Sequence, residues 1–342
     1  MLDFEGTALS PADRELLREP AVGGVLLFSR NYASPAQLTD LVSEIRGLRQ
    51  PPLLVAVDHE GGRVQRFRDG FTAIPPMRVI GGEYRKDPTS AATLARQAGW
   101  LIASELRAVG IDLCFAPCVD LDWGVSEVIG DRSFARRPEV VAELAMQFAR
   151  GLKNAGMGAV AKHFPGHGAV VADSHLKLPL DRREYGEILD DLRPYDRLIG
   201  NAAIAGVMTA HVIYQSVDEW PASFSSFWVQ RELRERLGFD GAVFCDDLSM
   251  KAAANYGPMP ERARLALAAG CDMVLVCNDR PAALKTVQAL RDYSNPLSLV
   301  RLARLHGTGK RSREALQASD EWRAASTALK RWTDPPELTL DA

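Results

Sequence analysis

A single (β/α)8 barrel is the fold this sequence predicts, on three observations. Short apolar, β-branched runs alternate seven times with amphipathic stretches of helical period over about 290 residues, the pattern of repeated βαβ units. The apolar runs are continuous rather than alternating in polarity, as in strands of a parallel sheet buried on both faces. No Pro/Gly/Ser-rich linker divides the chain, which favours one closed barrel over two domains; an open doubly wound sheet is the alternative.

In chain order the expected strands are Val22–Phe28, Leu53–Val57, Ile111–Ala116, Gly158–Ala161, Ile204–Met208, Ala242–Cys245 and Asp272–Val276. The expected helices are Pro35–Leu48, Ala91–Val109, Glu139–Ala155, Arg183–Ile199, Trp228–Leu237, Glu261–Ala269 and Arg280–Arg291. Ser10 reads as an N-cap with Pro11 at the first helical position. Gly110, Gly156 and Gly270 stand where helices must stop ahead of the next strand. Residues 1–342 are read as one domain, with the barrel over about 1–300 and a helical extension over about 301–342. Trp322 and Trp332 are the expected anchors of that extension.

Composition narrows the function classes. Hydrophobic residues are 46% and charged residues 25% of the 342, the balance of a protein with a sizeable core. The formal net charge of −3 and the mixing of both signs leave no footprint for nucleic acid or for a membrane surface. The first ten residues lack a basic and an apolar region, and no apolar run approaches a membrane span, so a cytoplasmic protein is expected. The five cysteines, Cys114, Cys118, Cys245, Cys271 and Cys277, are odd in number and mostly lie inside apolar runs. They read as reduced core thiols.

Barrel chemistry sits on loops at the C-terminal ends of strands, and polar residues cluster there. They are Asp58-His-Glu-Gly-Gly-Arg-Val-Gln-Arg66, Pro117-Cys-Val-Asp120, Asp131-Arg132, Lys162-His-Phe-Pro-Gly-His-Gly168, Asp173-Ser-His175, His211 and Asp246-Asp247; five of the six histidines fall within these segments. Singly, each has a plainer reading. Asp58 and Asp247 can cap turns or helices, Arg66 and Arg132 can be surface ion pairs, and His211 can be a core histidine satisfied by backbone. Their shared location after successive strands is what points to a site. In His163-Phe-Pro-Gly-His167 the Pro-Gly pair makes a turn, so the histidines lack the helical spacing of a zincin, although His163, His167, His175 and Asp173 are the residues a metal would use. Asp173 and His175, one residue apart, have the spacing for a carboxylate to orient an imidazole as a general acid/base.

Lys162-His-Phe-Pro-Gly-His-Gly-Ala-Val-Val-Ala-Asp-Ser-His175 resembles the signature loop of the bacterial β-N-acetylhexosaminidases of glycoside hydrolase family 3. Asp58–Arg66 is similar to that family's Asp-Gln-Glu-Gly-Gly-Arg-Val-Gln-Arg segment, and Phe239–Met250 to its nucleophile strand. Gly24–Asn31, Ile129–Ser133, His211–Tyr214 and Gly270–Asn278 also resemble family segments, and the match weakens after about residue 300. The resemblance implies a TIM barrel that removes terminal β-linked N-acetylglucosamine from muropeptides of peptidoglycan recycling or from chitooligosaccharides, as a monomer without cofactor or metal. It implies Asp246 rather than Asp247 as nucleophile, His175 paired with Asp173 as acid/base, and Asp58, Arg66, Arg132, Lys162, His163 and His211 as sugar-binding residues. The separation of Asp246 from Asp247 rests on family register alone.

Two departures stand out: His59 replaces the family's glutamine, and Cys245 replaces the Ser or Thr before the nucleophile. Loss of that hydroxyl removes a hydrogen bond that could tune Asp246. The implied reaction is a double displacement through a covalent glycosyl-enzyme with retention. A histidine suits the acid/base role because its unperturbed pKa of about 6.5 is close to neutrality. Two alternatives stay open on the residues: a metal-dependent hydrolase built on His163, His167 and His175, and an N-acetylglucosaminide phosphorylase.

Overall fold

The computed structural model describes residues 1–171, 179–309 and 311–333. Seven parallel strands make two hydrogen-bonded groups. One is β1 (Gly24–Leu27), β2 (Leu54–Val57) and β3 (Leu113–Cys114); the other is β4 (Val160–Phe164), β5 (Gly206–Thr209), β6 (Ala242–Cys245) and β7 (Met273–Val274). Cys114 pairs with Ala159 and Cys118 with Lys162, joining β3 to β4. Leu2 pairs with both Val25 and Val276, joining β1 to β7 and closing the ring. The barrel is therefore a closed (β/α)8 type in which the segment at Leu2 is the eighth stave. No strand was expected there, because so short a pairing segment shows no periodic signal.

Strand side chains alternate between two cores. Leu26, Leu54, Ala56, Leu113, Phe115, Val160, Met208, Ala242, Phe244 and Met273 fill the barrel interior, where the Phe115 and Phe244 rings meet edge to face at 5.1 Å. Val25, Leu27, Val55, Val57, Cys114, Val207, Val243, Cys245 and Val274 belong to the larger cluster between strands and helices. This two-residue period positions the site. Asp58 continues the inward column of Leu54 and Ala56, Lys162 that of Val160, and Asp246 that of Ala242 and Phe244. Asp247 continues the outward column of Val243 and Cys245.

Strand β4 runs to Phe164, beyond the expected end at Ala161, so Lys162 and His163 stand on the strand itself. Strand β3 is shorter than Ile111–Ala116. Every expected helix is present within a few residues, though Phe227–Arg236 is π-helical. Ser10 caps Pro11–Arg18 as read, in a reciprocal box with Asp13. Gly270, at φ +113°, closes Met259–Ala269 in the left-handed conformation that favours glycine. Helices Pro88–Ala108 and Pro138–Asn154 approach so closely that a Cβ on Gly99 would lie 2.1 Å from the Phe148 carbonyl oxygen. In the extension, Trp322 and Trp332 pack on the outer core, and Trp322 Nε1 donates to Glu105 at 2.8 Å. All five cysteines are buried and free. No helix among the described residues is long and apolar enough to cross a membrane.

Candidate active site

The inward columns end in a charged cluster at the C-terminal mouth of the barrel. Lys162 Nζ, on β4, lies 2.7 Å from Asp58 Oδ1 and 2.6 Å from Glu60 Oε1. Glu60 sits on the short hairpin after β2 and takes both Arg132 Nη2 (2.8 Å) and Nε (3.0 Å), a bidentate pair. Arg66 Nη2 is 3.7 Å from Asp58. Burial opposes ionisation of Glu60, but Lys162 and Arg132 outweigh it and hold its carboxyl well below the usual range. Burial likewise works against the Lys162 ammonium, yet Asp58 and Glu60 raise its pKa. Four of the six expected sugar-binding residues thus meet in one network.

His163 is the fifth of the six expected residues to join that network. Its Nε2 lies 3.3 Å from Arg132 Nη2, and its Nδ1 lies 2.7 Å from Asp120 Oδ2. Asp120 also accepts the backbone N–H groups of His163 (3.1 Å) and His167 (2.7 Å). Burial disfavours its charge, but His163 and these bonds keep the carboxyl well below its ordinary value. The Asp120 carboxylate accepts a hydrogen bond from Nδ1–H, and Nε2 is the acceptor facing Arg132, whose guanidinium can only donate. The His167 ring stands 6.0 Å from that of His163, and burial first, then His163, lowers its pKa.

Asp246 lies partly accessible at the top of β6. Its Oδ1 accepts the Asp247 backbone N–H at 2.8 Å. Burial raises its pKa, but His163, His211, that N–H and Lys162 together bring it below the usual carboxylate value. Asp247 is used differently. Its carboxylate accepts Ser249 N (3.1 Å), Ser249 Oγ (2.7 Å) and Cys277 N (3.1 Å), closing the turn after the strand. The next helical segment is a 3-10 helix over Lys251–Tyr256 whose N-cap position is Met250, so Asp247 caps a turn rather than a helix.

His211 is 2% exposed and has no free ring nitrogen. Nδ1 meets Ser223 Oγ at 2.6 Å, and Nε2 faces the carbonyls of Asp246 (3.1 Å) and Asp247 (3.2 Å). It sits beneath the Asp246–Asp247 peptide, the backbone-satisfied alternative for this residue. The Cys245 thiol reaches the Asp246 carbonyl at 3.3 Å, not the carboxylate. His59 turns away from the cluster onto Phe67 and Phe71, ring centroids 5.7 and 5.8 Å away, and burial pushes its pKa down to about 3.

Asp173 and His175 lie outside the described residues. Two members of the network, Glu60 and Asp120, were not singled out from the sequence, although both stand in the loop segments that were. Among the described residues Cys118, Asp120 and His163 bring donor atoms within 4.8 Å of one another, the set that could hold a metal. Two ligands on one tetrahedral zinc stand roughly 3.3 Å apart, given bonds of about 2.0 Å. The 2.7 Å between His163 Nδ1 and Asp120 Oδ2 is instead the length of a charge-assisted hydrogen bond. That geometry favours an imidazole oriented by a carboxylate over a pair of metal ligands.

Residues 2–302 match the glycosyl hydrolase family 3 N-terminal domain. The chain is 53% identical over 341 residues to a β-hexosaminidase of Thioalkalivibrio sulfidiphilus, covering all of this chain and 98% of the relative. It is 52% identical over 339 residues to a β-hexosaminidase of Methylococcus capsulatus, covering 98% and 99% of the two chains. Among solved structures it is similar to NagZ of Neisseria gonorrhoeae in complex with N-trifluoroacetyl-D-glucosamine, at 44% identity and a TM-score of 0.91, covering 98% of this chain and 97% of that one. The chain therefore belongs to glycosyl hydrolase family 3, as a β-N-acetylhexosaminidase.

Proposed function

We propose that the protein is a retaining exo-β-N-acetylglucosaminidase that removes terminal β-linked N-acetylglucosamine from peptidoglycan-derived anhydromuropeptides. The observation that carries this reading is the place of Asp246. Its carboxylate ends an inward column of the barrel, the residue is partly exposed, and His163, His211, the Asp247 N–H and Lys162 draw its pKa below the usual carboxylate value. A carboxylate so placed can attack an anomeric carbon, while Asp58, Arg66, Arg132, Lys162 and His163 offer the donors and acceptors that hold the sugar hydroxyls and acetamide. The N-acylglucosamine bound to the Neisseria protein supports the same sugar here.

In the first displacement an Asp246 oxygen bonds to C1 as the bond to the leaving oxygen breaks. His175, oriented by Asp173, gives that oxygen its proton. In the second, His175 takes a proton from water, whose oxygen displaces the Asp246 ester and returns the β-anomer. The protein is read as a cytoplasmic monomer and a single domain, acting without a metal or cofactor on a small soluble substrate.

The experiment is proton NMR of the first-formed product from a β-N-acetylglucosaminide, in phosphate and in phosphate-free buffer. The reading requires β-N-acetylglucosamine in both. An α-product overturns the double displacement, and N-acetylglucosamine 1-phosphate overturns hydrolysis in favour of phosphorolysis.

A further inference from the structure

The nucleophile stands just past the end of its sheet ladder. Strand β6 pairs with β5 up to Cys245 opposite Thr209, and Asp246 N reaches the Thr209 carbonyl only at 3.4 Å. The Asp246–Asp247 peptide therefore has no strand to set its plane. Something else holds it. Its carbonyl oxygen faces His211 Nε2 at 3.1 Å, and its N–H lies 2.8 Å from Asp246 Oδ1. In a trans peptide the C=O and N–H point in opposite directions, so a group that grips one aims the other. Two carbonyl oxygens at Nε2 require the proton to be on Nε2. Nδ1 is then the acceptor for the Ser223 hydroxyl at 2.6 Å.

We propose that His211 is a positioning residue for the nucleophile, acting through the peptide as a relay: Ser223 Oγ–H to Nδ1, Nε2–H to the Asp246 carbonyl, and the Asp247 N–H to the Asp246 carboxylate. The proposal rests on the reading of Asp246 as nucleophile and gives His211 a role other than contact with the sugar. Each bond polarises the next, so the Asp247 N–H is a stronger donor to the carboxylate than a free amide would be. The cysteine at 245 fits this arrangement, since its thiol adds a second, weak donor to the same carbonyl. His211 is buried at 2% against Phe224, whose ring centroid is 5.6 Å away, so the imidazole has little freedom to leave the peptide. Among the described residues, the charged and titratable groups facing Asp246 are Lys162 and His163 from β4, His167 from the following turn, His211 from the loop after β5, and Asp247 beside it.

The test compares His211→Met, which fills the space without a donor, with His211→Gln, whose amide nitrogen reaches about as far as Nε2. The readout is kcat, KM and the acid limb of the kcat/KM–pH profile with a chromogenic β-N-acetylglucosaminide. H211M is expected to lower kcat about ten-fold or more with KM within about three-fold, and to move the acid limb up by roughly one pH unit, because the Asp247 N–H is no longer aimed at the ionised carboxylate or polarised toward it. H211Q is expected to recover most of both. Serine 223 supplies an independent arm: S223A keeps the imidazole but frees its tautomer, and a smaller shift of the acid limb in the same direction is expected. An acid limb that stays in place in S223A and H211M, or a glutamine no better than methionine, overturns the relay and leaves His211 a packing residue. Trapping the wild-type enzyme with a 2-fluoro donor separates the two levels of the account. Label away from Asp246 removes the nucleophile itself, whereas label on Asp246 with an unmoved acid limb removes only the relay.

Discussion

Replacing Glu60 with glutamine removes an anion that touches both Lys162 and Arg132 while keeping the side chain's volume. Taking one partner from a buried ion pair costs about 3–5 kcal/mol. The lower end applies here, for structural reasons. Lys162 keeps Asp58 at 2.7 Å, and Arg132 keeps the Val128 carbonyl at 3.2 Å and His163 at 3.3 Å. A loss of about 3 kcal/mol, set against an unfolding entropy of about 0.7 kcal/mol per kelvin for a chain of this length, lowers Tm by roughly 4 °C. The sign of the pH dependence follows from the lowered carboxyl pKa. Its contribution is complete above the unfolded value near 4.3 and is lost as pH falls toward the folded value, by about 1.4 kcal/mol per unit. The assay is urea denaturation of wild type and E60Q at pH 7 and pH 3.5. A gap under about 0.5 kcal/mol at pH 7, or one that fails to narrow at pH 3.5, refutes the reasoning that Glu60 is a buried anion held ionised by two cations.

Three further outcomes are expected. Asp120→Asn removes the carboxylate that sets the His163 tautomer, and steady-state kinetics should show kcat/KM lower by about 10–100-fold; an unchanged value removes Asp120 from the network. Asp247→Asn keeps an oxygen for the Ser249 and Cys277 N–H groups, so denaturation should show a loss of about 1 kcal/mol with kcat within about three-fold, whereas Asp246→Asn should abolish turnover. Gly99→Ala drives a methyl to 2.1 Å from the Phe148 carbonyl and should cost roughly 3 kcal/mol by separating two helices; equal stability would show that they can part freely.

Much of the barrel was legible because burial on both faces makes its strands continuous apolar runs, and the helices between them keep a clear period. The eighth stave was not. Leu2 pairs on both sides as a single residue, and one residue has no period. The end of β4 was misplaced for a related reason: Lys162 and His163 are polar, so hydropathy stops at Ala161 while the ladder continues to Phe164.

The site shows the same division. Asp58, Lys162 and Asp246 were found as polar residues after strands, yet only the inward and outward columns explain why Asp246 and not Asp247 reaches the barrel mouth. Glu60 and Asp120 escaped notice because each works on other protein groups, and partners supplied by distant strands leave no local pattern. His211 was read both as a sugar ligand and as a backbone-satisfied core histidine; the distances to Ser223 and to two carbonyls support the second.

The central claim is that Asp246 forms a bond to the sugar, and one measurement bears on it most directly. The enzyme is incubated with a 2-deoxy-2-fluoro glycosyl donor carrying a good leaving group, digested, and sequenced by mass spectrometry. The account predicts a stable ester within Phe244–Leu248, on Asp246 and absent from D246N. Label on Asp247 or elsewhere, or steady turnover with no labelled peptide, contradicts it.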